Sequence, residues 1–413
     1  MRGATTYSKR YPGGLLLLFR LRGSTLPRAL PFGILAGVYG ALVEYYYLND
    51  DIPTNGANSQ LFIHTYPYHV LAFLTGFGLI FRLSFSMQRY WEARTMLQNA
   101  AAKWGDGAIQ VLSFDAACEA EVARRSAAAF ARFAAHTFSL LHAVAMHTLR
   151  RERSLESLGA LSPDDLDASA ASAEVSASAV RVSVRGSEPP GCVEALTQSP
   201  ARRLERHYET HPLLVIGGVH AAELGALRAT EERVHLVMGA LHRALVSRRK
   251  AGGLTTDAPV VSRIYQVLSD GMLAYLAALK LRDTPFPLPY AQINAYFCLV
   301  NLAFFPLVVA SKVVSVAMVA AISCVGVTMM YAVNEVAREL EDPYVGSSTG
   351  FTANMLMLAE MQDQFNERLL ASVPGGAAGA RDLLAPSGAD PEEEAQQYDA
   401  FVRAAHCREG SAK

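Results

Sequence analysis

Four stretches of the chain are almost wholly apolar, and each is close to the ~20 residues a helix needs to cross hydrocarbon. The first runs from about Pro27 to Leu48 and ends in Tyr45-Tyr46-Tyr47, an aromatic anchor of the kind found at a membrane–water interface. The second begins near Pro67 and contains YHVLAFLTGFGLIFRLSFSM, interrupted by Arg82. The third covers roughly Pro289 to Ala310 and the fourth Val313 to Val333. One such stretch alone also fits a buried helix of a water-soluble domain. Four of them, separated by polar segments, predict a multi-pass membrane protein. Helical patterning, with apolar positions three and four apart, continues over 85–112, 119–151, 201–250 and 260–281. The second span is therefore expected to run on into water as a helix.

Between these helices, Ser154 to Ser199 is built from Ala, Ser, Asp and Pro (DDLDASAASAEVSASAV, GSEPPG) and reads as a disordered insertion. The tail after Pro374 reads as loosely ordered. The expected organisation is an interfacial N-terminal segment at 1–26, spans one and two with their aqueous continuation at 27–151, and the insertion at 152–200. Aqueous helices follow at 201–285, spans three and four at 286–333, a further aqueous segment at 334–372 and the tail at 373–413.

Charge orients these pieces. The segment between spans one and two holds Asp50 and Asp51 with no Lys or Arg, whereas Arg82, Arg89, Arg94, Lys103, Arg124 and Arg125 follow span two. The positive-inside rule then puts both termini and the long middle region on the cytosolic side. Overall, 37 Lys plus Arg stand against 38 Asp plus Glu, so no basic excess points to a nucleic-acid partner. The five cysteines (Cys118, Cys192, Cys298, Cys324, Cys407) are too scattered for a metal-ligand pair or a disulfide framework. His136, His142 and His147 are six and five residues apart, do not share a helical face, and read as packed or surface histidines. With no phosphate loop, zinc-protease motif or nucleophile elbow in a useful context, no catalytic residue, metal or cofactor is expected.

Span two carries the candidate chemistry. Phe73, Phe77 and Phe81, with Phe85 one step beyond, are four apart, so their rings follow one side of a helix and drift by about 40° per step. Phenylalanines at this spacing fit the interior of a helical bundle. They equally fit stacked girdles around an axis shared by several copies, where an apolar constriction gates by dewetting. Ring edges carry positive potential, so edge-on phenyl groups tolerate an anion better than a cation. The small residues Thr75, Gly76 and Gly78 let other helices approach. Asn294 and Asn301 are expected to hydrogen-bond to neighbouring helices, Pro306 to kink span three, and Arg89 to pair with Glu92 three residues on.

The run FRLSFSMQRYWEARTMLQNAAAKWG (81–105) resembles the segment after the second span of bestrophins and their relatives in bacteria, algae and plastids. The matching positions are Phe81, Arg82, Arg89, Tyr90, Trp91, Glu92, Arg94, Trp104 and Gly105. Two further matches are TPFPLPY (284–290) before span three and NEVARELEDPYVG (334–346) after span four. This resemblance implies an all-α, four-span membrane protein with a large helical cytosolic part, assembled as a homopentamer around one central pore. It carries the pore neck onto Phe73, Phe77 and Phe81 and puts a second constriction, the aperture, near Val260. Arg89, Glu92, Arg94, Pro287 and Pro289 become structural residues near the pore.

Animal bestrophins hold calcium in an acidic run after the fourth span. Here Asp342-Pro343-Tyr344-Val345-Gly346 is followed by Ser347-Ser348-Thr349-Gly350, which lacks that run. The expectation is thus an anion channel of the bacterial, plant and algal kind, passing chloride and bicarbonate, with membrane lipid and its own copies as partners. The chloroplast (thylakoid) membrane is the favoured residence and the plasma membrane the alternative. The competing functions are a weakly selective or cation-preferring channel of the same architecture, and a membrane scaffold with little conductance.

Overall fold

The computed structural model describes residues 23–48, 65–118, 126–152, 154–161, 200–345, 355–373 and 379. The first 22 residues, Asp50, Asp51, Arg124, Arg125, most of the insertion, Gly346 to Gly350 and nearly all of the tail lie outside these residues. The chain divides into two compact units. One comprises Ala4–Ala93 and Asp283–Met355, and the other Met1–Gly3, Arg94–Arg282 and Leu356–Lys413.

The first unit holds the apolar helices. Helix α1 (Leu26–Val43) continues as a π-helical turn, Glu44–Leu48. Helix α2 (Tyr66–Ala116) begins in this unit and is one unbroken helix of 51 residues, about 76 Å long at 1.5 Å per residue. Helices α8 (Leu288–Ala310) and α9 (Val316–Glu341) complete it. All four are long and apolar enough to cross a membrane, so the chain is a multi-pass membrane protein with the four predicted spans.

α1 packs on α9 through a stripe of small residues, Ala29, Gly33, Ala36, Gly37 and Gly40. A Cβ at Gly33 would collide with Thr328 and come within 2.6 Å of Cys324 O; one at Gly37 would lie 2.9 Å from Ala320 O. The helices thus meet backbone to side chain, the close approach that small residues permit in lipid, where apolar burial supplies no driving force. Pro287 caps α8 and Pro289 sits in its first turn, where a missing N–H costs nothing. Pro306 lies buried inside the same helix.

The second unit is built from the later part of α2 with α3 (Ala127–Leu149), α4 (Pro200–Thr210), α5 (Ala221–Arg228), α6 (Arg233–Lys250), α7 (Ala258–Asp283) and α10 (Leu358–Ala371). Two short strands, β1 (Leu158–Leu161) and β2 (Leu213–Ile216), pair in parallel with Leu158 opposite Leu213. This ladder is the one departure from an all-helical fold among the described residues. β1 lies inside the stretch whose composition reads as an insertion, so ordered structure reaches at least to Leu161. The helical patterning over 201–250 is realised as α4, α5 and α6, interrupted by β2. Pro212 lacks an N–H to continue α4, and Gly217 (φ +79°) and Gly218 (φ +74°) turn the chain through a left-handed region after β2.

α3 is the buried centre of this unit, with nearly every residue from Ala134 to Leu149 inside. Its polar side chains are each used. Ser139 Oγ donates to Asn366 Oδ1 (2.7 Å), and Gln362 and Asn366 of α10 each donate to Leu214 O of β2 (2.8 Å). Trp104, from the Trp-Gly pair, is fully buried and packs obliquely on Tyr275. Gly271 lies against its indole, where a side chain would collide. Arg248 grips Asp115 with two bonds, Nε to Oδ1 at 2.6 Å and Nη2 to Oδ2 at 2.9 Å, and donates to Ser126 Oγ.

Candidate functional site

Within the first unit, the buried residues of α2 are Tyr68, Thr75, Leu79, Arg82, Ser86 and Ala93. At about 100° per residue these fall in an arc of roughly 60°. That arc is held by side-chain chemistry. Asn301 Nδ2 donates to Thr75 Oγ1 at 2.7 Å and Tyr68 Oη donates to Asn301 Oδ1 at 3.0 Å, as expected of an intramembrane amide. Asn294 differs from its expectation, because its Nδ2 donates to Tyr290 O of its own helix. Gly78 closes the same contact: a Cβ there would stand 3.1 Å from Asn294 Oδ1 and 3.3 Å from the Phe297 ring. Gly76 faces open space.

Phe73 and Phe77 project from the opposite side of α2, and Phe81 and Phe85 follow with the expected drift. They are 69%, 52%, 41% and 49% exposed. The rings touch one another, and Phe85 also meets the Tyr290 ring of α8 edge to face at 6.2 Å. Phe73 and Phe77 are stacked at 6.0 Å, Phe77 and Phe81 meet edge to face at 4.4 Å, and Phe81 and Phe85 stack at 6.2 Å. Phe73 and Phe77, the most exposed of the four, thus lie away from this chain's own bundle, whereas Phe85 packs partly against it. Beyond the rings, Ser84, Gln88, Thr95 and Asn99 are exposed on the same broad side of the helix, so the face turns from aromatic to polar along its length.

Arg82, the charge within span two, turns the other way. It is buried, with Nε and Nη2 on Glu341 Oε1 (2.8 and 2.7 Å) and Nη1 donating to Asn334 Oδ1 at 2.6 Å. Arg28 and Glu339 make a second pair at the same end of α9, at 2.5 Å. The carboxylates Glu339 and Glu341, before the Asp342–Val345 turn, are therefore committed to arginines, and among the described residues no group of three or more metal-capable side chains converges.

Arg89 donates from Nε to Glu341 O (3.1 Å) and from Nη2 to Thr284 O (2.8 Å). It thus ties the PFP segment and the end of α9 to α2, two main-chain acceptors that its spacing from Glu92 does not announce. Tyr344 is fully buried; burial pushes its phenol up, Asp342 and Glu92 push the same way, and Arg89 opposes. In the second unit, Arg94 donates to Met361 Sδ at 2.7 Å. Val260, near 43% exposed, sits in the first turn of α7 with its N–H on Asp257 O. The α1 glycines were missed in reading the sequence, although Gly33-x-x-x-Gly37-x-x-Gly40 carries the small-residue signal.

The family model described as Bacterial/Fungal Bestrophin protein matches residues 6–188 and 193–371, most of the chain. The chain belongs to the bestrophin family. Bestrophins are channels and not enzymes. Solved bestrophin structures share the fold. A bacterial bestrophin homologue from Klebsiella pneumoniae, phased with zinc, is 16% identical, with 84% of this chain and 97% of that one covered at a TM-score of 0.56. Two single-substitution forms of the Klebsiella pneumoniae protein are also 16% identical, each with 85% of this chain and 100% of the other covered at 0.56. No curated protein matches the chain.

Proposed function

We propose that this bestrophin forms an anion channel in which several copies, five by family likeness, turn the exposed phenyl row of α2 toward a common axis. Phe73, Phe77 and Phe81 form the neck and Val260 the aperture. The observation that carries this is the position of the rings. They are opposite the arc by which α2 packs on its own chain, free to meet other copies and an ion path. The passage of the same side into Ser84, Gln88 and Asn99 suits a constriction that opens into water. Exposed apolar side chains in the second unit (Ile109, Leu273 and Leu276) support self-association, since they lie outside the spans and are not covered by lipid.

Permeation is proposed to favour chloride over sodium, with bicarbonate as a second permeant ion. Ring edges attract a passing anion weakly, and weak contact lets it leave as readily as it enters. The composition of the insertion and the likeness to algal members suggest a chloroplast membrane, the thylakoid, as the residence. Fractionation against thylakoid and plasma-membrane markers tests that.

The deciding experiment is planar-bilayer recording of purified protein in a chloride gradient. The reversal potential is expected near the chloride equilibrium value. Replacing Phe73, Phe77 and Phe81 together by Ala is expected to raise conductance, while Ile80→Ala, on the flank of the row, leaves it unchanged. A reversal potential set by sodium defeats the selectivity claim. Unaltered conductance in the triple variant defeats the neck, and absence of current in pure protein favours a scaffold.

A further inference from the structure

The second unit buries a histidine in surroundings that a neutral imidazole does not satisfy. His136, in the middle of α3, has Nδ1 2.7 Å from Ile216 O and Nε2 2.9 Å from Glu223 Oε1. A main-chain carbonyl and a carboxylate both accept hydrogen bonds. A neutral imidazole carries one N–H and one bare lone pair, so either tautomer sets a lone pair against an acceptor. Only the imidazolium, with two N–H groups, matches both neighbours.

The carboxylate is equally well placed. Glu223 is 1% exposed, and its Oε2 accepts the backbone N–H of His220, closing the N-terminal turn of α5. The chain between β2 and α5 passes through Gly217 and Gly218, both at positive φ. Three segments (α3, the end of β2, and the start of α5) thus converge on one proton.

We infer that His136 is a built-in proton site: it is charged at neutral pH, clamps the β2–α5 joint to α3 through Ile216 and Glu223, and releases that joint when it loses its proton in alkali. The charged and titratable groups around it are accounted for element by element. Glu223 and His220 face it from the start of α5. Of the other elements on α3, α10 turns Arg368 toward His142 and α6 turns Arg233 toward His147, both further along the helix. Arg132 lies one turn earlier on α3 itself.

The direction of titration agrees with this geometry. Burial pulls the His136 pKa down, but Glu223 and the Ile216 carbonyl outweigh it and the net displacement is upward; Glu223 is displaced downward. A histidine raised on folding adds stability below its unfolded value, near 6.5, and loses it as pH climbs through the folded value. Glu223 adds stability above about 4.5 and loses it in acid. The joint is firmest between the two and loosens on the alkaline side.

Hydrogen–deuterium exchange of the full-length protein in nanodiscs, from pH 6 to pH 9 and corrected for intrinsic exchange rates, tests this independently of any pore. Peptides covering 213–228 are expected to lose protection as pH rises, while peptides from the buried part of α2 do not. Glu223→Gln keeps the side-chain shape but removes the charge, and is expected to move the midpoint down by about one pH unit, a tenfold loss of proton affinity. His136→Gln is expected to abolish the pH dependence. Protection of 213–228 that stays constant across the range in the unsubstituted protein overturns the inference. So does an unmoved midpoint in Glu223→Gln, and the first result stands even if either variant fails to fold.

Discussion

Arg82 is the residue whose removal has the most calculable consequence. Replacement by Met keeps the aliphatic stem and deletes the guanidinium. Glu341 Oε1 then loses contacts of 2.8 and 2.7 Å and Asn334 Oδ1 loses one of 2.6 Å. Breaking a buried pair from one side costs about 3–5 kcal/mol, because the remaining charge stays desolvated. The Glu341 side chain is 16% exposed, so water reaches it in part and the lower end, about 3 kcal/mol, applies. At roughly 2–4 °C per kcal/mol for a unit of this size, the apparent melting temperature falls by roughly 6–12 °C.

Scanning fluorimetry in detergent at one fixed heating rate measures the effect, with size-exclusion chromatography as the folding check. Arg82→Met combined with Glu341→Gln should cost less than the two single losses added together, since the double variant leaves no stranded charge. An Arg82→Met protein that melts within about 2 °C of the parent, or strictly additive losses in the double variant, refutes the argument. Either result would mean that the pair is hydrated and holds nothing together.

Three other outcomes follow from the same contacts. His142 and His147 are held neutral chiefly by burial, each with its pKa near 4, so stability is full above about pH 6.5 and falls toward pH 4, by about 3 kcal/mol per histidine. Fluorescence of the buried Trp104, read in a Trp91→Phe background, is expected to shift to the red over that range, with a smaller shift in His142→Gln. Gly33→Ala is expected to destabilise by about 1–3 kcal/mol because its methyl meets Thr328 and Cys324; Gly76→Ala, facing open space, should melt like the parent protein. Arg89→Ala, which frees Glu341 O and Thr284 O, is expected to reduce the assembled fraction on native mass spectrometry, with the chloride-to-sodium permeability ratio of the remaining channels unchanged.

The spans were legible because length and apolarity largely decide them: about 20 residues with at most an occasional charge leave a helix few places to go. The run of α2 past Arg82 was legible because helical patterning continues beyond that charge over 85–112, and Pro287 and Pro289 announced the start of α8. What the sequence does not display is long-range pairing. Arg82 finds its partners more than 250 positions away, and no periodicity marks Asn334 or Glu341 for it. The β1–β2 ladder escaped because four residues of LGAL beside an Ala/Ser-rich run have no strand signature until LLVI lies next to them. Histidines 136, 142 and 147 read as packed or surface residues and all three are buried, but one differs from the others through Glu223, 87 positions later. The phenyl row was visible as a spacing, and only the positions buried on α2 decided which side of the helix it occupies.

The seating of α1 on α9 constrains how this membrane unit can move. At Gly33 and Gly37 the two helices approach so closely that even a methyl group would meet Thr328, Cys324 O or Ala320 O. These two spans are expected to move as a pair. The contact of α2 with α8 combines a close approach at Gly78 with the hydrogen bonds that join Thr75, Tyr68 and Asn301. In the proposed channel, a change in bore along the phenyl row is expected to come from α2, with the α1–α9 pair moving as one piece.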